Sequence, residues 1–146
     1  MPNQKTVEQD LVAAMKARDQ LKVETLRGLK TRLMNEKINK GSDLTEAEVL
    51  ALIQSEVKRR KESAEAFTAG GRPDAAEKEN VEIQVLQAYL PVQASEEEIK
   101  AKIGAIIQEQ GFVTADFGKA MGLLKSHFGA SADGATISRL LKESLT

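Results

Sequence analysis

Between Thr45 and Pro91 the chain reads as one long helix, a glycine-rich break, a second helix and a hard stop. Thr45 and Glu48 match a capping box, in which each side chain satisfies a free backbone N–H of the first turn. Val49, Ile53, Val57, Ala64 and Phe67 then carry an apolar stripe over several turns. At about 1.5 Å per residue such a helix spans roughly 35 Å. That is long for a small globule, so an elongated antiparallel bundle is expected. Arg60 falls where the stripe predicts an apolar residue. Its alkyl stem is expected along the core, with its head group in water. Ala69-Gly70-Gly71-Arg72-Pro73-Asp74 forms the break, with Pro73 suited to a first helical position and Asp74 to a first turn. Val81, Val85 and Tyr89, with Ile83, Leu86 and Leu90, pattern the second helix, and Pro91 stops it.

The residues before this stretch are patterned to pack against it. Val7, Leu11, Ala14, Met15 and Arg18 mark one face of a helix over 5–18. Asp19 suits an N-cap. Leu26, Leu29 and Leu33 form the next stripe, widened by Leu21, Val23, Met34 and Ile38. Gly28, inside that pattern, is expected to mark a close helix contact. Aromatic residues make up only 3% of the chain. The core must therefore come from Leu, Ile, Val, Met and Ala, a palette that suits helices better than sheets.

After a linker at 91–95, Ser95 and Glu98 repeat the capping-box spacing. Ile99, Ile103, Ile106 and Ile107 give the next buried face, and Gly111 its end. Phe117, Met121, Leu124 and Phe128 follow after Thr114, then a turn at Gly129–Gly134, then Ile137, Leu140, Leu141 and Leu145. No strand-like alternation persists. The expectation is an all-α protein: a bundle of about four helices over 1–91, then a small three-helix domain over 92–146.

The functional signals are sparse. With a formal net charge of −1, any nucleic-acid contact must be local. Residues 1–89 hold 15 Lys or Arg against 15 Asp or Glu, so the first part carries no net basic field. Zero Cys excludes thiolate chemistry and Cys-ligated metals. The first residues show no apolar leader, so an unprocessed cytoplasmic protein is expected. Lys58-Arg59-Arg60-Lys61 is the one dense basic run, but successive residues point about 100° apart on a helix, and Glu56, Glu62 and Glu65 stand nearby for pairing. It reads as a solvated face, or as phosphate contacts through Lys58, Arg59 and Lys61. His127, the lone histidine, has no orienting partner in the pattern and reads as a helix-end residue. Glu96-Glu97-Glu98 suit a helix N-terminus better than a metal. The turn ending at Gly134 offers free N–H groups at a helix start, which can hold an anion. Lys119, Lys125, Arg139 and Lys142 lie on the flanking helices. Asp133, an N-cap candidate, would compete with phosphate.

Several segments, in this order and spacing, resemble the free-standing YqeY family. They are Thr25-Leu26-Arg27, the run from Lys58 to Phe67, Ala76-Glu77-Lys78-Glu79, Tyr89-Leu90-Pro91 with Ser95-Glu96-Glu97-Glu98, and Gly118-Lys119-Ala120-Met121 with Ala132-Asp133-Gly134. The resemblance implies a bundle of longer helices followed by a three-helix domain. It also implies kinship with the C-terminal tail of GatB, a subunit of the glutamine-dependent tRNA amidotransferase, where the tail is a tRNA-recognition appendage and the amide chemistry lies elsewhere. Family labels therefore name a carbon–nitrogen ligase with glutamine as amido donor. The chain carries no Ser-Ser-Lys or Cys nucleophile set for that chemistry, and no cofactor site. Relatives commonly hold a basic residue just before Ala-Asp-Gly, where this chain has Ser131. The expected function is a noncatalytic accessory protein working with tRNA or the amidotransferase machinery. A protein–protein adaptor is the alternative, and an amidotransferase-like enzyme stands behind both.

Overall fold

A computed structural model describes residues 3–145. The described residues form seven α-helices and no strand: α1 (Gln4–Ala17), α2 (Gln20–Lys40), α3 (Glu46–Ala69), α4 (Pro73–Gln87), α5 (Glu96–Gln110), α6 (Phe117–Phe128) and α7 (Gly134–Leu145). Short 3₁₀ turns precede α6 and α7. The chain divides into two compact units, one ending at Leu90 and the other starting at Pro91.

Local chemistry sets the helix ends. Asn3 caps α1 by accepting from Thr6 N–H at 2.9 Å, and Asp19 caps α2 by accepting from Lys22 N–H at 3.2 Å. The Thr45–Glu48 capping box is complete, both bonds measuring 3.2 Å. Lys40 Nζ joins it, 2.5 Å from Glu48 Oε1. Arg18 takes a left-handed conformation at φ 57 and ends α1 one residue short of the expected span. It therefore leaves the apolar face it was assigned to, and Met15 is half exposed. Gly28 is exposed with nothing near its missing Cβ, so no close helix approach explains it. Thr25, by contrast, is buried, its hydroxyl donating to Leu21 O at 2.8 Å.

In the first unit, Leu26, Leu33, Ile53 and Leu86 are fully buried and bring α2, α3 and α4 onto one core, with Val7 and Leu11 of α1 against it. Tyr89 closes the bundle, its hydroxyl donating to Asp10 Oδ2 at 2.5 Å. Burial, and then Asp10, push the Tyr89 phenol well above its ordinary pKa, so it remains a donor.

Arg60 does not keep its head group in water. It spans the gap to α4 and pairs with the carboxylate of Glu82, whose side chain is only 8% exposed. Glu79 lies 3.4 Å from the same guanidinium nitrogen, and Glu56 lies 4.0 Å from Arg60 Nε. Glu56 also pairs with Arg32 of α2, so the cluster ties three helices. The alkyl stem alone could not fill the slot against so polar a neighbour. Two opposite charges at core positions on facing helices satisfy each other instead. Burial pushes the Glu82 carboxyl up; Arg60 pulls it down by less, Glu79 and Glu24 push it up, and Lys78 pulls it down.

The second unit packs α5, α6 and α7 around Ile99, Ile103, Leu124, Ile137, Leu140 and Leu141. Ser95 caps α5, accepting from Glu98 N–H at 3.1 Å. Gly111, at φ 66, ends it.

Removing one side of the buried pair leaves the other charge stranded, which costs about 3 kcal/mol. Arg60→Ala should therefore lower stability by roughly that amount in urea unfolding, and Arg60→Met with Glu82→Leu should recover most of it. The pH dependence has a definite sign. The folded carboxyl binds protons more tightly than the ordinary glutamate at 4.5. Glu82 thus favours the fold most at pH below 4.5, and that contribution is lost as pH rises through its raised folded value. Stability of the wild type relative to Glu82→Gln should fall over that rise. A flat or opposite trend across urea melts at several pH values would contradict the assignment.

Candidate nucleic-acid interface

The cations expected to face phosphate in the second unit occupy separate places. Lys125 of α6 lies beside the first residue of α7: a Cβ added at Gly134 would stand 3.5 Å from Lys125 Cε and 4.0 Å from its Nζ. Lys142 of α7 lies at the other end of the helix pair, its Nζ 5.9 Å from the centre of the Phe117 ring. Eight residues of α6, about 12 Å, separate the two ends. Lys119 points elsewhere again, about 120° round α6 from Lys125. It lines a shallow groove with Gln110, Phe112, Asp116, Leu123 and Ser126. Arg139 is held by acids, paired with Glu96 on α5 and with Glu143 at 3.7 Å.

So the structure brings Lys125 and Gly134 together and leaves the other three dispersed. Lys119, Lys125 and Lys142 are exposed and form no ion pair among the described residues. The turn before α7 is firmly built. Ser131 Oγ donates to Phe128 O at 2.6 Å, and its carbonyl accepts from Ala94 N–H at 2.7 Å. Ser131 thus joins the segment before α5 to the turn before α7.

On α3 the basic run splits by role. Arg59 pairs with Glu56 at 3.2 Å, and Arg60 is committed to the buried cluster. Lys58 and Lys61 are exposed without an ion pair among the described residues, and Lys61 borders a shallow groove with Glu65, Thr68 and Asn80. His127 is exposed at the end of α6, edge-on to Phe128 at 4.8 Å. Among the described residues, no group of three or more His, Cys, Asp or Glu side chains converges to hold a metal, and no helix is long and apolar enough to cross a membrane.

Sequence reasoning missed Glu82. Its signal was present: Val85, Leu86 and Tyr89 follow it at three, four and seven residues, which puts Glu82 on the apolar face beside a chain that already had Arg60 misplaced.

These features define a class: an all-α protein of two compact units that carries several exposed lysines. The chain belongs to the Yqey-like protein family, whose model matches residues 4–145. It is 38% identical over 107 residues to Altered inheritance of mitochondria protein 41, mitochondrial, of Lachancea thermotolerans, covering 70% of this chain and 57% of that protein. The Eremothecium gossypii protein of the same name is also 38% identical over 107 residues, covering 70% of this chain and 58% of its own length. The one from Pyrenophora tritici-repentis is 28% identical over 140 residues, covering 92% of this chain and 76% of itself. The chain thus spans less than three fifths of the length of the first two.

Two glycines separate backbone need from site chemistry. Gly134→Ala meets only ordinary contact with Lys125 and keeps its N–H, so it should leave stability unchanged or raise it by about 0.5 kcal/mol. Gly111→Ala forces a Cβ into a left-handed residue and should cost about 1 kcal/mol. Thermal melts of the two variants against wild type check both.

Proposed function

We propose that the protein is a noncatalytic accessory module that docks on the tRNA phosphate backbone and assists glutamine-dependent, tRNA-dependent amidation in trans. Membership of the Yqey-like family across residues 4–145 supports the assignment, through the kinship that family implies with the GatB tail. The observation that carries the docking reading is Lys125 beside Gly134. A cation at the positive end of a helix is an electrostatically incomplete arrangement, and an incoming anion completes it. Asp133 offsets part of that charge from the preceding position. Lys119 and Lys142 add contacts on other faces, with Lys58 and Lys61 as further points of attachment on the first unit. Arg139 and Arg59, already held by carboxylates, contribute less. With so few aromatics, recognition runs through shape and backbone rather than base stacking. The compartment is one that holds tRNA: the cytoplasm in this reading, with the mitochondrial names of the fungal relatives marking the other translating compartment.

A second reading, a protein–protein adaptor, is favoured by apolar side chains exposed on α2.

Binding of bulk tRNA to the full chain across a salt series tests the first reading. Affinity should fall steeply as salt rises, because contact with phosphate releases counterions. Lys125→Ala and Lys119→Ala should each flatten the log–log slope by about 1, and Arg139→Ala should do less. No detectable binding at low salt overturns the reading. Glutaminase activity from the pure protein, lost on a point substitution, would replace it with an enzyme.

A further inference from the structure

Helix α2 has a second stripe that the fold does not use. Its buried face is filled by Val23, Leu26, Leu29 and Leu33. About 100° round the helix, Arg27, Thr31, Met34 and Ile38 recur at spacings of four, three and four, with Lys30 at the edge. Met34 is 43% exposed and Ile38 73% exposed. Arg27 and Thr31, on the same face, are exposed as well, so the whole stripe turns away from the core that α1, α3 and α4 share with Val23, Leu26, Leu29 and Leu33.

The charge of this stripe is as informative as its exposure. Between Gln20 and Lys40 there are six Lys or Arg and two Glu. Arg32, Lys37 and Lys40 are paired with acids of this chain, whereas Arg27 and Lys30 form no ion pair among the described residues. Two free cations thus sit beside two exposed apolar side chains on one helical face.

We propose that the Arg27–Thr31–Met34–Ile38 stripe, with Lys30, is the docking surface for an acidic amphipathic helix of a partner protein. Covering Met34 and Ile38 removes apolar surface from water, which a phosphate backbone cannot do. Arg27 and Lys30 select carboxylates and disfavour a basic partner. A facing helix with apolar residues at four-three-four spacing and Asp or Glu alongside meets both needs. A second copy of α2 does not, because two such strongly basic helices would repel. This surface lies on α2 and uses none of the lysines assigned above to phosphate contact, so it stands or falls separately from the tRNA reading.

The test places a benzoylphenylalanine photo-crosslinker at Ile38 of the full chain, with Gln84, exposed on α4, as the control position. Each chain is irradiated in nuclease-treated cell extract, and the crosslinked peptides are sequenced. The expected result is a discrete protein adduct at position 38, absent at 84, mapping to a helix-forming segment of net negative charge. Arg27→Glu with Lys30→Glu should lower its yield by about tenfold while the melting temperature stays the same. No adduct, an adduct to nucleic acid, an adduct to a second copy of this chain, or a segment without acidic residues would each overturn the proposal.

Discussion

The buried pair of Arg60 and Glu82 is the constraint around which the first unit is arranged. A core made almost entirely of Leu, Ile and Val is permissive, because aliphatic side chains slide past one another at small cost. A charge in that core is not permissive. It must meet its counter-charge in one register, and sliding α4 along α3 by one turn, about 5.4 Å, would strand both. Glu56 extends the constraint to α2 through Arg32. Three helices that packing alone would leave loosely registered are therefore fixed by one polar cluster. Tyr89, two residues past the end of α4, adds a polar tie to Asp10 of α1.

The fold class was legible in the sequence because its signals are local. The Thr45–Glu48 box, the Asp19 and Ser95 caps, Gly111 and Pro73 each act within one turn of chain. What was not legible depended on facing surfaces. Arg60 was seen to stand in an apolar slot, but Glu82 lies 22 residues away and is found only by placing α4 against α3. Met34 and Ile38 look like core residues by spacing, yet they lie about 100° round α2 from its buried face and are exposed. Gly28 suggests a close approach in sequence, yet no neighbour is there.

The lysines of the second unit show the same division. Their presence near Gly134 was readable, but their directions were not. Lys125 arrives at the α7 start because α6 and α7 fold back on each other, while that geometry carries Lys142 to the far end. Arg139 and Lys142 stand three residues apart on one helix, yet one is drawn to a carboxylate on α5 and the other to an aromatic ring on α6. Under the tRNA docking proposed above, a phosphate backbone offers charge at many points, so a few separated lysines can each find one.

Ser131 stands where the resemblance to the YqeY family leads one to expect a basic residue. Its backbone carbonyl takes the Ala94 N–H, a bond any residue could make. Its hydroxyl donates to the Phe128 carbonyl at the end of α6, a short local bond over three residues that the long side chain of lysine or arginine does not reproduce. The turn before α7 thus gains a local tie where a charge would otherwise stand. That exchange holds the Gly134 helix start in place and leaves Lys125 as the cation at its side. Under the docking proposed above, the turn offers an anion one positioned ammonium and the backbone N–H groups of the α7 start, rather than a pair of charges.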